Sequence, residues 1–238
     1  MSTHSDDGFG HAWALADAIP GWLTKDQARL LWDSALTLGK GERILEIGSH
    51  KGRSTVVLAL AAQRIGARVT AVDPFVDGRL FGGSPTRVLF EENIATSGVS
   101  DTVDLVPEYS TRLRPQWTEP FQMLYIDGKH DYWTFTDDLR WAVHLPPAAP
   151  ILVHDCYSSI GVTLGVLARV LPGRGVAYRR RAGSLALFVV GRPSAADRML
   201  IVRELPWWLR NVGVKILLRL RLRSAARLFG HDHPYDPY

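Results

Sequence analysis

Short apolar runs and stretches of helical periodicity alternate along most of this chain. Ile44, Leu45 and Ile47 mark a buried strand over 43–48, and Val69 to Val72 mark a second over 68–73. The runs 102–107, 121–127 and 150–155 read the same way, being short and continuously apolar. Val56, Val57, Leu58, Leu60 and Ala61 predict a sheet-packing helix over 54–65. Further helices are expected over 87–97, 110–114, 132–144 and 158–170. Helical spacing over 12–38 breaks at Pro20-Gly21, and Thr24 is placed to cap the second piece, which carries Leu30, Leu31, Ala35 and Leu38. Residues 74–86, with Gly78, Gly82, Gly83 and Pro85, read as a loop. The runs 176–181 and 184–191 have only Ala182-Gly183 between them and predict an antiparallel hairpin. Buried strands alternating with helices imply a parallel sheet covered on both faces. The expected fold class is therefore α/β, a doubly wound, mostly parallel seven-stranded sheet with a C-terminal hairpin and helices at both ends.

At 238 residues the chain can bury one large core. A folded unit is expected over 1–192, with a helical cap at about 12–38, followed by a helical extension over 193–238. The single cysteine, Cys156, excludes an internal disulfide framework and fits a reducing cytoplasm. No signal peptide or membrane-spanning run is visible. The net charge of +4 hides an asymmetry. Residues 1–173 hold 15 basic and 20 acidic side chains, whereas 174–227 hold 13 basic and 2 acidic. Such a split predicts a chemical core and a basic element that meets something else.

The most informative stretch is Arg43 to Ser54. A strand carrying Glu46 runs into a loop with Gly48 and Gly52, a helix opens at Ser54, and the next strand ends at Asp73. Strand, glycine loop, helix, strand and terminal acid describe half of a Rossmann-like nucleotide site. The loop lacks the first and third glycines of a dinucleotide fingerprint, which disfavours NAD and FAD. It ends Gly52-Arg53-Ser54 rather than Gly-Lys-Ser, which disfavours ATP. Asp73 stands where a ribose would lie, and its carboxylate can accept vicinal hydroxyls. Glu46, beneath the loop, would suit an ammonium or sulfonium ligand better than a pyrophosphate.

Asp127-Gly-Lys-His130 ends one later strand and His154-Asp155 ends the next. Neighbouring strand ends point into one crevice, so two carboxylates and two imidazoles should converge there. Asp127 and Asp155 are hard oxygen ligands suited to Mg²⁺. His154 either joins them on the metal or braces the site. His130, three residues past Asp127, should face the acceptor, and its ordinary pKa of roughly 6.5 suits a general base.

The Glu46–Ser54 and Asp73 pattern resembles motifs I and II of class I S-adenosylmethionine-dependent methyltransferases. That resemblance implies that Glu46, Gly48, Gly52, Ser54 and Asp73 bind the cofactor. It also puts Ser110, with Tyr109 as the weaker choice, near the adenine, and Asp127 at the cofactor's edge. The run Leu124 to Tyr132, with Asp138-Leu139 and Ile151 to Asp155, is similar to the metal-dependent small-molecule and sugar O-methyltransferases, over about residues 20–190. Carried over, Asp127 and Asp155 match metal ligands and His130 the base. Some relatives have Glu where this chain has His154, which leaves the third ligand open. The implied reaction is methyl transfer to a hydroxyl of a sugar or oligosaccharide, among them a mannoside precursor of a methylated polysaccharide as in similar mycobacterial enzymes. A phenolic or other natural-product hydroxyl is the alternative.

Trp22, Tyr132 and Trp133 are candidates for the acceptor mouth or for helix core. Over 206–229, Lys215, Arg219, Arg223 and Arg227 recur every four residues beside Trp207, Trp208 and a set of leucines. A homodimer contact, packing on the chain's own domain, and a peripheral membrane helix compete for this segment. Nucleic acid is not expected, because no recognition motif accompanies the charge. His231-Asp-His233 reads as a frayed tail. The competing function classes are a nicotinamide oxidoreductase and a non-catalytic, membrane-associated scaffold.

Overall fold

The computed structural model describes residues 8–76 and 83–230. Gly78, Gly82 and His231 to His233 lie outside the described residues. Two helices, α1 (Phe9–Asp17) and α2 (Lys25–Ala35), precede strand β1 (Arg43–Ile47), α3 (Arg53–Ile65) and β2 (Arg68–Val72). Then come α4 (Gly83–Thr96), β3 (Val103–Val106), α5 (Ser110–Leu113), β4 (Met123–Ile126) and α6 (Tyr132–Asp138). The last elements are β5 (Pro150–Val153), α7 (Ile160–Gly165), β6 (Val176–Ala182), β7 (Leu185–Val190), α8 (Ala195–Arg219) and α9 (Arg223–Leu228).

The seven strands form one sheet in the order β3-β2-β1-β4-β5-β7-β6. The first five are parallel, and β7 runs antiparallel to both β5 and β6. The hairpin thus enters the sheet through its second strand, and β6 becomes the edge. Because the chain steps outward from β1 to β3 and returns beside β1 as β4, the helices that follow β1 and β4 pass to opposite faces of the sheet, while the two strands stay paired to Ile47 and Ile126. That switch point is where an open α/β sheet leaves a crevice for a ligand.

Residues 44–47 of β1 are all buried, as are the sheet-facing Val56, Val57 and Leu58 of α3. This burial, rather than strand or helix propensity alone, anchors the crevice floor. Helix α2 starts on a reciprocal capping box, in which Thr24 and Gln27 satisfy each other's backbone N–H groups. Two predicted helices change character: after α6 the chain tightens into a 3-10 helix over 139–144, and after α7 it widens into a π-helix over 166–170.

The C-terminal segment differs from the expectation. One long helix, α8, begins at Ala195 and stops at Arg219; Arg221 takes a left-handed φ of 60°, and α9 restarts at Arg223. Lys215 and Arg219 therefore sit on one helix and Arg223 and Arg227 on another, so no single stripe joins them. Trp207 and Trp208 face inward: Trp207 lies under the Arg181 guanidinium at 3.9 Å and Trp208 packs on the sheet's core. Ile201, Asn211 and Val214 are buried, and Asn211 donates to the Tyr157 carbonyl. Glu204 accepts from both Tyr178 and Arg181 of β6. The inner face of α8 thus shares the core of the preceding domain.

Candidate active site

A cavity of about 600 Å³ opens at the switch point. The β1 loop forms one wall through Gly48, Ser49, His50 and Ser54, and Asp73 closes it at the end of β2. Tyr109 and Ser110, after β3, form a second wall, and Asp127 to His130, after β4, form a third. Pro20 to Leu23, between α1 and α2, roof it.

The β1 loop is held by Asp73. One carboxylate oxygen accepts the backbone N–H groups of Ser49 and His50 at 3.0 and 2.9 Å, and the other accepts that of Phe75 at 2.8 Å. A carboxylate has about four acceptor sites, so Asp73 keeps little capacity for a ligand hydroxyl while the loop is so bound. Gly48 takes a φ of 88°, and a Cβ there would collide with the Asp127 carbonyl and the Gly128 nitrogen. Its lack of a side chain brings the β1 and β4 loops together.

Glu46 and Gly52 do not line the cavity. Glu46 is wholly buried, and its two oxygens accept the hydroxyls of Ser54 and Thr55, each at 2.5 Å. The ammonium-facing position expected of it is taken by a bracing role beneath the loop. Gly52 caps α3 at a φ of 87°, where a Cβ would press on Phe90. Burial raises the Glu46 carboxyl to about 7, against the opposing hydrogen bonds of Ser54 and Thr55. The folded state therefore favours the protonated form. The resulting stability, about 3 kcal/mol at 1.36 kcal/mol per pKa unit, is full below the unfolded value of 4.5 and is lost as pH rises through about 7. Glu46→Gln removes this dependence. Thermal melts from pH about 5 to 9 should show the variant gaining on the parent protein as pH rises; parallel curves would refute the assignment.

Ser110 donates to Asp138, which also lines the cavity and whose second oxygen has no partner. Burial pushes the Asp138 carboxyl up to about 7, more than its bond from Ser110 lowers it. Sequence reading noted Asp138 only as part of a motif; its position is set by α6 folding back under the β4 loop. Trp22 stands at the roof over His50, with ring centroids 5.7 Å apart. Trp133 lies instead on a separate depression with Thr136 and Arg140, and Tyr132 does not reach the cavity.

At the ends of β4 and β5 the four expected groups converge. His130 Nε2 is 3.2 Å from Asp127 Oδ1, and its Nδ1 is 2.9 Å from Asp155 Oδ2. His154 Nδ1 is 3.2 Å from the same Asp127 oxygen and 3.5 Å from Asp155 Oδ1. Tyr125 donates to Asp127 Oδ2, and the Ser158 and Ser184 hydroxyls reach Asp155 Oδ1. Of the four, Asp127 and His130 line the cavity, while His154 and Asp155 lie behind them. Burial alone would lower the His130 pKa, but the two carboxylates raise it to about 10. His130 is thus an imidazolium at neutral pH in the metal-free protein, not the unperturbed base expected. Burial opposes ionisation of Asp127 and Asp155, yet the imidazoles hold both below the usual carboxylate range. Asp127, His130 and His154 each offer a ligand atom within 4.8 Å of the others. Asp155 is not of that set; its oxygens orient His130 and accept the serine hydroxyls.

Residues 45–156, from β1 to just beyond β5, match a family model described as a methyltransferase domain. Cofactor-bound Rv0187 from MTB superposes with a TM-score of 0.60 at 19% identity, over 81% of this chain and 94% of that one. The fold is the Rossmann-like methyltransferase fold. The O-methyltransferase TomG from Streptomyces achromogenes, in complex with SAM, gives a TM-score of 0.54 at 20% identity, over 79% and 91% of the two chains. SAH-bound PaMTH1, a methyltransferase from Podospora anserina, gives 0.61 at 14% identity, over 78% and 88%. In this methyltransferase fold the matched segment carries the β1 loop, Asp73, Asp127, His130 and Asp155.

Proposed function

We propose that the chain transfers a methyl group from S-adenosylmethionine to a hydroxyl of a small polar acceptor, a sugar or oligosaccharide, with a divalent cation held at the end of β4. The observation that carries this reading is a single cavity with the β1 loop on one side and Asp127 and His130 on the other. The matched family model and the SAM- and SAH-bound neighbours support the donor half.

S-adenosylmethionine supplies a methyl group already activated on sulfonium. The protein's part is to bring the acceptor oxygen in line and remove its proton. The orphaned, buried Nδ1 of His154 beside Asp127 fits a bound cation. A divalent ion held there by Asp127 and His154 would lower the hydroxyl's pKa and offset the carboxylates that keep His130 protonated. His130, the partly exposed member of the cluster, then takes the hydroxyl proton at Nε2, while Asp155 Oδ2 accepts from Nδ1 and fixes the ring. Trp22 at the roof offers a flat face to a sugar ring. The test is an acceptor screen with labelled S-adenosylmethionine, with and without chelator, beside calorimetry with NAD(P). Turnover of glycosides that chelation abolishes is the expected result; binding of NAD(P) alone would overturn the reading, and preference for phenols would replace the acceptor.

The outer side of α8 supports a second, separate contact. Met199, Val202, Pro206, Leu209, Gly213, Ile216 and Leu220 follow at alternating steps of three and four residues, and Met199, Val202, Leu209, Ile216 and Leu220 are exposed. From Leu205 to Gly230 there are six basic residues and no acid. A homodimer along this seam would set like charges together, whereas an acidic lipid surface would complement them. Among the described residues no helix is long and apolar enough to cross a membrane. The expected outcome is co-sedimentation of the full chain with vesicles containing phosphatidylglycerol but not with pure phosphatidylcholine, lost in high salt and in Leu209→Asp/Ile216→Asp. A dimer by light scattering that this double variant dissolves, with no vesicle binding, would refute it.

A further inference from the structure

Gln27 opens α2 and is wholly buried. Its Oε1 accepts the Thr24 backbone N–H at 2.8 Å, which fixes the orientation of the amide, and its Nε2 donates to Ser184 Oγ at 3.0 Å. The same Oε1 lies 3.3 Å from His154 Nε2. An amide oxygen only accepts, so the proton of the neutral His154 ring belongs on Nε2 and the lone pair on Nδ1. That Nδ1 is buried, makes no hydrogen bond, and faces carboxylate oxygens of Asp127 and Asp155 at 3.2 and 3.5 Å. Facing two carboxylates, that nitrogen carries either a proton or, in the proton's place, a metal cation. His130 presents a second imidazole to the same Asp127 oxygen, with Asp155 behind it. His154 thus has an outer partner on Nε2 and an inward Nδ1, the arrangement by which proteins aim a histidine at a metal, while His130 keeps its Nε2 towards the cavity.

We infer that the ion held here is a transition metal of the Mn²⁺ to Zn²⁺ group rather than Mg²⁺, bound through His154 Nδ1 and Asp127 Oδ1, and that Gln27 is the positioning residue that fixes the His154 tautomer. Mg²⁺ takes an octahedron of oxygen ligands and keeps its waters, whereas imidazole nitrogen suits the later divalent metals. The inference deepens the proposed methyl transfer by naming its ion, but the binding it describes does not depend on that reaction.

The experiment uses the full chain, stripped with chelator and reloaded with Mn²⁺, Co²⁺ or Mg²⁺. Pulsed electron paramagnetic resonance of the Mn²⁺ form should show nitrogen coupled directly to the metal. His154→Glu should lose the coupling of that ring and shift preference towards Mg²⁺. Gln27→Leu should weaken Mn²⁺ and Co²⁺ binding by about 10–100-fold, and Gln27→Glu, which keeps an acceptor oxygen, should restore most of it. Absence of nitrogen coupling, coupling unchanged in His154→Glu, Mg²⁺ bound as tightly as Mn²⁺, or no metal binding would each overturn the inference. Should Gln27→Leu fail to fold, the spectra of the parent chain and of His154→Glu still decide. Nitrogen coupling without any methyl transfer would sink the proposed reaction and leave this inference standing; transfer that prefers Mg²⁺ would do the reverse.

Discussion

Replacing His130 by alanine is expected to lower turnover by about 10²–10⁴-fold, the usual range for losing a positioned acid or base, with affinity for S-adenosylhomocysteine changed only a few-fold. The reason is geometric. Its Nδ1 is tied to Asp155, so Nε2 is aimed at Asp127 and the cavity, where an acceptor hydroxyl would sit. The cofactor-side contacts expected of the β1 loop and Ser110 do not pass through this ring. His130→Gln keeps polarity without a basic nitrogen and should be as poor as alanine. Rapid-quench turnover and calorimetry measure the two quantities; a variant with near-parental turnover would remove His130 from the chemistry. The carboxylates that aim the ring also hold its proton, with a pKa of about 10 in the metal-free protein. Chelated enzyme should therefore regain activity only as pH rises towards that value, and restored metal should shift the rise to lower pH.

Gly48→Ala is expected to destabilise the fold by about 3 kcal/mol or more and to lower Tm by about 6–12 °C. Two costs combine. At a φ of 88° an L-residue pays for the left-handed backbone, on the order of 1–2 kcal/mol. The added Cβ also meets the backbone of Asp127 and Gly128, which cannot swing away as a side chain would. Gly98 separates these terms. It too is left-handed, with a φ of 68°, but a Cβ there meets nothing within 4 Å. Gly98→Ala should cost only the backbone term, so a Gly48 variant that melts no lower than the Gly98 variant would show that the loops are not pressed together. Because the displaced backbone is that of Asp127, Gly48→Ala should also lose turnover in whatever fraction remains folded.

Much of this architecture is legible locally. Unbroken apolar runs gave the strands because a strand covered on both faces has no polar side to show. Thr24 announced the start of α2 because a helix cap is a local affair, and the structure adds Gln27 as its reciprocal partner. Asp127, His130, His154 and Asp155 could be placed together because parallel strand ends share one rim. Glu46 was misjudged for a reason local sequence does not contain: which way a strand-end side chain turns depends on what lies beneath it. Ser54 and Thr55, from the following helix, turn it inward. Gln27 was missed as a partner of His154 because 127 residues separate them. The tail misled because helical spacing says nothing of where Arg221 breaks the helix or which face Trp207 and Trp208 present.

The α/β alternation, the loop after β1 and the two acids and two imidazoles that meet at the ends of β4 and β5 all follow from residue type and short-range spacing. How those side chains are turned, buried and charged follows instead from packing. Gln27 of α2, beside His154 Nε2, leaves the Nδ1 of that ring facing the acids, the pressing of the β1 loop on the β4 loop requires Gly48, and two carboxylates facing one imidazole set the charge of His130. Orientation, burial and protonation arise from contacts between residues far apart in the chain, and no local pattern carries them.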